Sequence, residues 1–184
     1  MNYTGFGVTY QDFPEPSAVA VVVYLTGCSN GCPGCQNKEL QDQTYGESIG
    51  DPDDFLNKII SACERNATDN VVFEGGDPLF ISNAGLVNYT VGKLRKLGIR
   101  SCVYTGCGID EVKRRFSVRS AAYYKCGKYD SSNSRAAGKD DDKIILASPN
   151  QNFYDERFRK ISKKGVLYFN DNIFKRFIRF LRRK

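Results

Sequence analysis

The stretch that most constrains this chain is an apolar run, Ala18 to Leu25, that empties directly into Thr26-Gly27-Cys28-Ser29-Asn30-Gly31-Cys32-Pro33-Gly34-Cys35. A continuous apolar run of that length, rich in valine, reads as a strand covered on both faces, which is the pattern of a parallel sheet. Three cysteines spaced C-x3-C-x2-C then leave the end of that strand on a glycine-rich loop. Three thiolates on one short loop form a donor set for a soft metal or an iron–sulfur cluster. A cluster held by three thiolates instead of the usual four keeps one iron open, as catalytic zinc sites keep an open position where structural ones are closed.

Downstream, strand and helix signals alternate. Asp51-Pro52-Asp53-Asp54 predicts a capped helix start, with Phe55, Leu56, Ile59, Ile60 and Cys63 at helical spacing behind it. Val71 to Phe73, Ile99 to Tyr104 and Ala121 to Cys126 read as further strands, and Ile144 to Leu146 as a fifth. Helices are expected over about Asn83 to Leu97, closed by Gly98, and around Ile109 to Phe116. Met1 to Ser17 reads as an irregular lead-in with a short strand near Val8 to Tyr10, and Lys38 to Gly50 as polar and irregular. This alternation predicts one α/β domain over 1–184 with a mostly parallel sheet. Periodicity alone leaves a partial barrel and a doubly wound open sheet equally open. In both, the working loops sit at the carboxyl ends of the strands. The cysteine loop, Gly75-Gly76-Asp77-Pro78 and Tyr104-Thr105-Gly106 all fall at such ends.

The cysteine segment, with Cys32-Pro33-Gly34-Cys35-Gln36-Asn37-Lys38 and Gly75-Gly76-Asp77-Pro78-Leu79, resembles the radical S-adenosylmethionine (radical SAM) superfamily. Within it the chain is most similar to the activating enzymes of anaerobic ribonucleoside-triphosphate reductase. Tyr104-Thr105-Gly106 and Cys126-Gly127-Lys128-Tyr129 extend the resemblance, and Gln36 stands where those enzymes usually carry an aromatic residue. The resemblance implies an incomplete β/α barrel of the short radical SAM type. It implies a 4Fe-4S cluster on Cys28, Cys32 and Cys35, whose open iron chelates S-adenosyl-L-methionine. Gly75, Gly76, Asp77 and Thr105 are then cofactor contacts, the glycines allowing close approach of the backbone to the ligand. The implied reaction is reductive cleavage of S-adenosylmethionine, with a glycyl radical left on the large subunit of an anaerobic ribonucleotide reductase. A flavodoxin or ferredoxin would donate the electron. The family's Gly-Ser-Ser-Asn-Gln-like segment has its nearest counterparts at Gly138 to Asp142 and Ser148 to Gln151.

Two other readings stand beside this one. A small radical SAM enzyme of the 7-carboxy-7-deazaguanine synthase kind would need a dedicated polar pocket. A non-catalytic metal-binding adaptor would need a fourth zinc ligand from Cys63, Cys102, Cys107, Cys126 or a carboxylate, because the chain contains no histidine. The same absence excludes histidine-based hydrolytic triads. Cys63, Cys102 and Cys126 read as packing residues.

The formal charge of +6 is concentrated in the tail, where Lys175, Arg176, Arg179, Arg182, Arg183 and Lys184 leave a body of 21 basic and 21 acidic residues. A nucleic-acid partner is therefore not expected. Ile173, Phe174, Phe177, Ile178 and Leu181 form a helical stripe, so the basic 173–184 segment reads first as an amphipathic terminal helix packed on its own domain, beside a docking helix for an acidic partner surface or an interfacial membrane helix. No apolar run reaches the length of a membrane span. Seven free cysteines without a secretory leader suit a reducing cytoplasm.

Overall fold

The structure, a computed structural model, describes residues 1–117 and 120–169; the amphipathic segment expected over 173–184 lies outside the described residues. The chain opens with strand β1 (Asn2–Thr9), followed by β2 (Ala20–Leu25), the two-residue β3 (Glu47–Ser48) and helix α1 (Pro52–Arg65). Then come β4 (Asn70–Gly75), α2 (Ala84–Lys96), β5 (Arg100–Thr105), α3 (Ile109–Arg115) and β6 (Tyr123–Cys126). Short strands β7 (Gly138–Lys139), β8 (Lys143–Ile145), β9 (Asn152–Asp155) and β10 (Val166–Tyr168) complete the described chain.

Seven strands form one sheet in the order β3-β1-β2-β4-β5-β6-β9. Its centre, β2-β4-β5-β6, is parallel and advances in one direction without reversal, while β1, β3 and β9 add antiparallel edges. A doubly wound sheet reverses its strand order and carries helices on both faces; among the described residues this one does neither. Apolar residues of α1, α2 and α3 all pack on one face, against Val21, Val23, Leu25, Val71, Phe73 and Val103. The other face, with Ala20, Val22, Val72 and Cys102, is covered by Phe13 and by a three-stranded antiparallel sheet, β10-β8-β7. The central strands therefore needed apolar residues at successive positions, as their sequence shows. No described helix is long and apolar enough to cross a membrane.

Local rules account for the helix starts. The Asp51 side chain accepts hydrogen bonds from the backbone N–H groups of Asp53 (2.7 Å) and Asp54 (3.1 Å), with Pro52 at the first helical position. Two expectations are corrected. The lead-in is not irregular: eight of its residues form β1, paired with β2 along its length, and a bulge at Tyr3/Gly5 absorbs a register shift. Ile144 to Leu146 does not extend the parallel sheet; Ile144 and Ile145 lie in β8, inside the small covering sheet.

Phe13 is wholly buried, edge-on to the Tyr123 ring at 5.6 Å, with the Arg100 guanidinium 5.0 Å from its ring centre. Phe13→Ala is expected to lower the free energy of unfolding by about 3–5 kcal/mol. Denaturant titration checks this, and a loss below about 1 kcal/mol would show that the lead-in is no part of the core.

Candidate iron–sulfur site and cavity

β2 ends at Leu25, and the chain turns through Gly27 into the cysteine loop. Gly31 (φ 58°) and Gly34 (φ 69°) hold left-handed backbone between the cysteines, a conformation that glycine adopts without a Cβ penalty. The loop is tied down by backbone bonds from Gly27 N–H to Leu40 O (2.8 Å) and from Cys28 N–H to Gln41 O (3.1 Å). Cys28, Cys32 and Cys35 are free and half-buried. All three line one cavity of about 540 Å³, a volume within the range of small-molecule and cofactor sites.

Gly75 and Gly76 line the same cavity, but their lack of side chains has a cause within the protein. A Cβ on Gly75 would lie 2.5 Å from Leu25 O, and one on Gly76 would lie 2.7 Å from Leu40 O. The two glycines let the cysteine loop and the end of β4 press backbone to backbone. Asp77 N–H donates to Gly27 O at 2.8 Å, fastening the same contact. The Asp77 side chain is buried and does not line the cavity. Its Oδ1 accepts from Leu79 N–H (2.8 Å) and the Thr105 hydroxyl (2.7 Å), and its Oδ2 from the Asn30 amide (2.7 Å) and Gly106 N–H (3.1 Å). One carboxylate thereby joins three strand ends: the cysteine loop after β2, the segment after β4 and the turn after β5. Asn83 adds to this by donating to Thr26 O and Asp77 O. Thr105 reaches the cavity wall, with its hydroxyl committed to Asp77.

The remaining cysteines stand apart. Burial pushes the Cys63 thiol up to about 11 and the Cys126 thiol up to about 12, and raises Cys102 as well. Thiols held protonated are poor ligands. Cys107 is half-buried and is not among the cavity residues. Cys28 is also raised by burial, against which the Asn30 backbone and side-chain N–H groups pull it down. Among the described residues no three Cys, Asp or Glu side chains converge closely enough to hold a single metal ion. A cluster makes a different demand, because each thiolate binds its own iron.

The sequence reading missed the inner wall of the cavity. Glu74, Lys125, Asp12 and Gln11 line it beside Tyr104, and Gly138 and Gln151 bring both candidate counterparts of the family's late segment to the cavity. The Tyr104 hydroxyl donates to Asp12 O at 2.7 Å, and Lys125 Nζ lies 5.5 Å from the Tyr104 ring centre. The signal was present: a glutamate and a lysine inside otherwise apolar strands. Burial, reinforced by the Asp12 charge and opposed by Lys125, pushes the Glu74 carboxyl up to about 8, and burial lowers Lys125. Burial therefore biases Glu74 toward its protonated form, which can donate a hydrogen bond.

That shift has a stability consequence. The folded value lies above the ordinary 4.5, so the folded protein keeps a proton that the unfolded chain gives up. The contribution is complete below pH 4.5 and drains away as pH rises to about 8. Between pH 5 and pH 9, Glu74→Gln should flatten the fall in unfolding free energy by on the order of 3 kcal/mol. Denaturant unfolding of both proteins at several pH values checks this; parallel curves would refute it.

A half-buried trio of thiols at the carboxyl end of a parallel sheet, opening on a cofactor-sized cavity, defines an α/β iron–sulfur domain. The chain belongs to the 4Fe-4S single cluster domain family, whose model matches residues 17–152. It is also similar to the anaerobic ribonucleoside-triphosphate reductase-activating protein of Enterobacteria phage T4, with 23% identity over 123 residues, covering 65% of this chain and 76% of that protein. Both findings bear out the resemblance to radical SAM activases carried by the cysteine loop.

Proposed function

We propose that this protein is a radical SAM activase that generates a glycyl radical on an anaerobic ribonucleoside-triphosphate reductase. The observation that carries the reading is the placement of Cys28, Cys32 and Cys35 on the wall of one cavity with Gly75, Gly76 and Thr105. The donor set suits a 4Fe-4S cluster: three soft ligands on one loop, with the buried thiols elsewhere held protonated. When bound, the cluster and S-adenosylmethionine supply one-electron cleavage of the sulfonium and abstraction of a hydrogen atom from glycine. In this reading the sheet is an incomplete β/α barrel of the short radical SAM type. Gly75 and Gly76 present backbone to the cofactor, and Asp77 and Thr105 hold that backbone in place. The open rim suits a large substrate that closes the site itself and excludes water. The electron donor is a flavodoxin or ferredoxin, and the setting is the cytoplasm.

The polar inner wall favours one second reading, a small-molecule substrate of the 7-carboxy-7-deazaguanine synthase kind, with Glu74 and Lys125 as its polar contacts. Anaerobic reconstitution followed by incubation with reductant, S-adenosylmethionine and the reductase large subunit separates the two. A glycyl radical signal in electron paramagnetic resonance supports the activase. Formation of 5′-deoxyadenosine with no such signal favours a small substrate. A colourless zinc protein that leaves S-adenosylmethionine intact refutes both.

A further inference from the structure

Asn30 lies between Cys28 and Asp77 and makes more contacts there than any sequence pattern assigns to it. Its backbone N–H and its side-chain Nδ2 both stand 3.4 Å from Cys28 Sγ, and Nδ2 also donates to Asp77 Oδ2 at 2.7 Å. An amide nitrogen has two hydrogens, so one can serve each acceptor. The orientation is fixed, because turning the amide over would set its oxygen against the Asp77 carboxylate. Gly106 completes the seat: a Cβ there would lie 2.7 Å from Asn30 Cγ.

We infer that Asn30 is a positioning residue that tunes the cluster, its two N–H groups directed at the Cys28 sulfur raising the reduction potential. The inference rests on the proposed assignment of Cys28 as a cluster ligand. The physical ground is charge. Reduction adds one electron to the cluster, negative charge grows on the ligand sulfurs, and N–H donors favour the more negative state. Asp77 anchors the donor, so this side chain adds to the backbone bonds that couple the segment after β4 to the ligand loop. Cys32 and Cys35 have no hydrogen bond of this kind among the described contacts, which makes Cys28 the sulfur at which the potential is adjusted.

The test is anaerobic redox titration of the reconstituted full chain, followed by electron paramagnetic resonance, with iron and sulfide content measured alongside. Asn30→Ala removes the side-chain donor and leaves the backbone one. At the wild-type midpoint its reduced-to-oxidised ratio should fall by about threefold or more. Gly106→Ala displaces the amide without removing it and should shift the ratio in the same direction by less. A purely structural role would lower cluster content and leave the midpoint of the loaded fraction where it was. An unchanged midpoint in loaded Asn30→Ala overturns the inference. If that variant does not load, Gly106→Ala decides by the same criterion; failure of both to load beside a loaded wild type makes Asn30 structural and also overturns it. Failure of the wild type to hold a cluster strikes the proposed function instead.

Discussion

On the proposed function, replacing any one of Cys28, Cys32 or Cys35 with alanine is expected to abolish the cluster and to lower S-adenosylmethionine cleavage by at least about a thousandfold, because the cofactor carries the chemistry. The reason lies in what the rest of the chain lacks. It has no histidine. Cys63, Cys102 and Cys126 are buried in the packed core, and Cys107 does not line the cavity. Among the described residues no spare thiolate therefore stands ready to replace a lost one. The matched controls are Cys63→Ala and Cys102→Ala, which should keep full iron and sulfide content and lose only the stability that goes with a small core cavity, about 1–2 kcal/mol. Iron and sulfide analysis, visible absorbance and 5′-deoxyadenosine yield check both halves. A loop-cysteine variant that retains cluster and cleavage would sink the site as drawn, and so would a core-cysteine variant that loses them while folded.

What could be read from the sequence was local. The cysteine loop, the capped start of α1 and the alternation of strand and helix are each written in a few neighbouring residues, and each is found where it was expected. What could not be read depends on partners far along the chain. Gly5 and Gly7 made the amino-terminal stretch look irregular, yet pairing with β2 turns it into an eight-residue strand. The Ile144 run was identified as strand, but three apolar residues do not say which sheet they join. In the sequence, Gly75 and Gly76 signal a close backbone approach without showing what approaches. The approaching groups include Leu25 O and Leu40 O, which no local pattern could name. Glu74 and Lys125 were visible as charges in apolar strands; only the parallel pairing of β4, β5 and β6 shows that they share a wall.

Asp77 carries the second large effect. Its side chain is 3% exposed and accepts four hydrogen bonds, two on each oxygen. Asp77→Ala would leave the amides of Leu79 and Gly106, the Thr105 hydroxyl and the Asn30 amide without their acceptor. Hydrogen bonds to a charged group contribute about 1.5–3 kcal/mol each, and partial refilling by water reduces the sum, so a loss of about 4–5 kcal/mol is expected. Asp77→Asn is the sharper variant, because its volume is unchanged. Its oxygen can still serve Leu79 and Thr105, but its NH₂ must then face two donors, Gly106 N–H and the Asn30 amide. A loss of about 2–3 kcal/mol follows, while Thr105→Val, which removes one donor and leaves the carboxylate with three, should cost about 1–2 kcal/mol. The order Asp77→Ala, Asp77→Asn, Thr105→Val, read as rising denaturant midpoints that all lie below the native one, tests the idea that one carboxylate fastens three strand ends. Cluster incorporation should follow the same order, because the bond from Asn30 to Asp77 helps to fix the loop that carries Cys28. An Asp77→Asn protein within about 0.5 kcal/mol of the native one would show that these ends are held by their backbone bonds alone, and the coupling between the Gly-Gly-Asp segment and the cysteine loop would have to be sought in Gly76 and Gly27 instead.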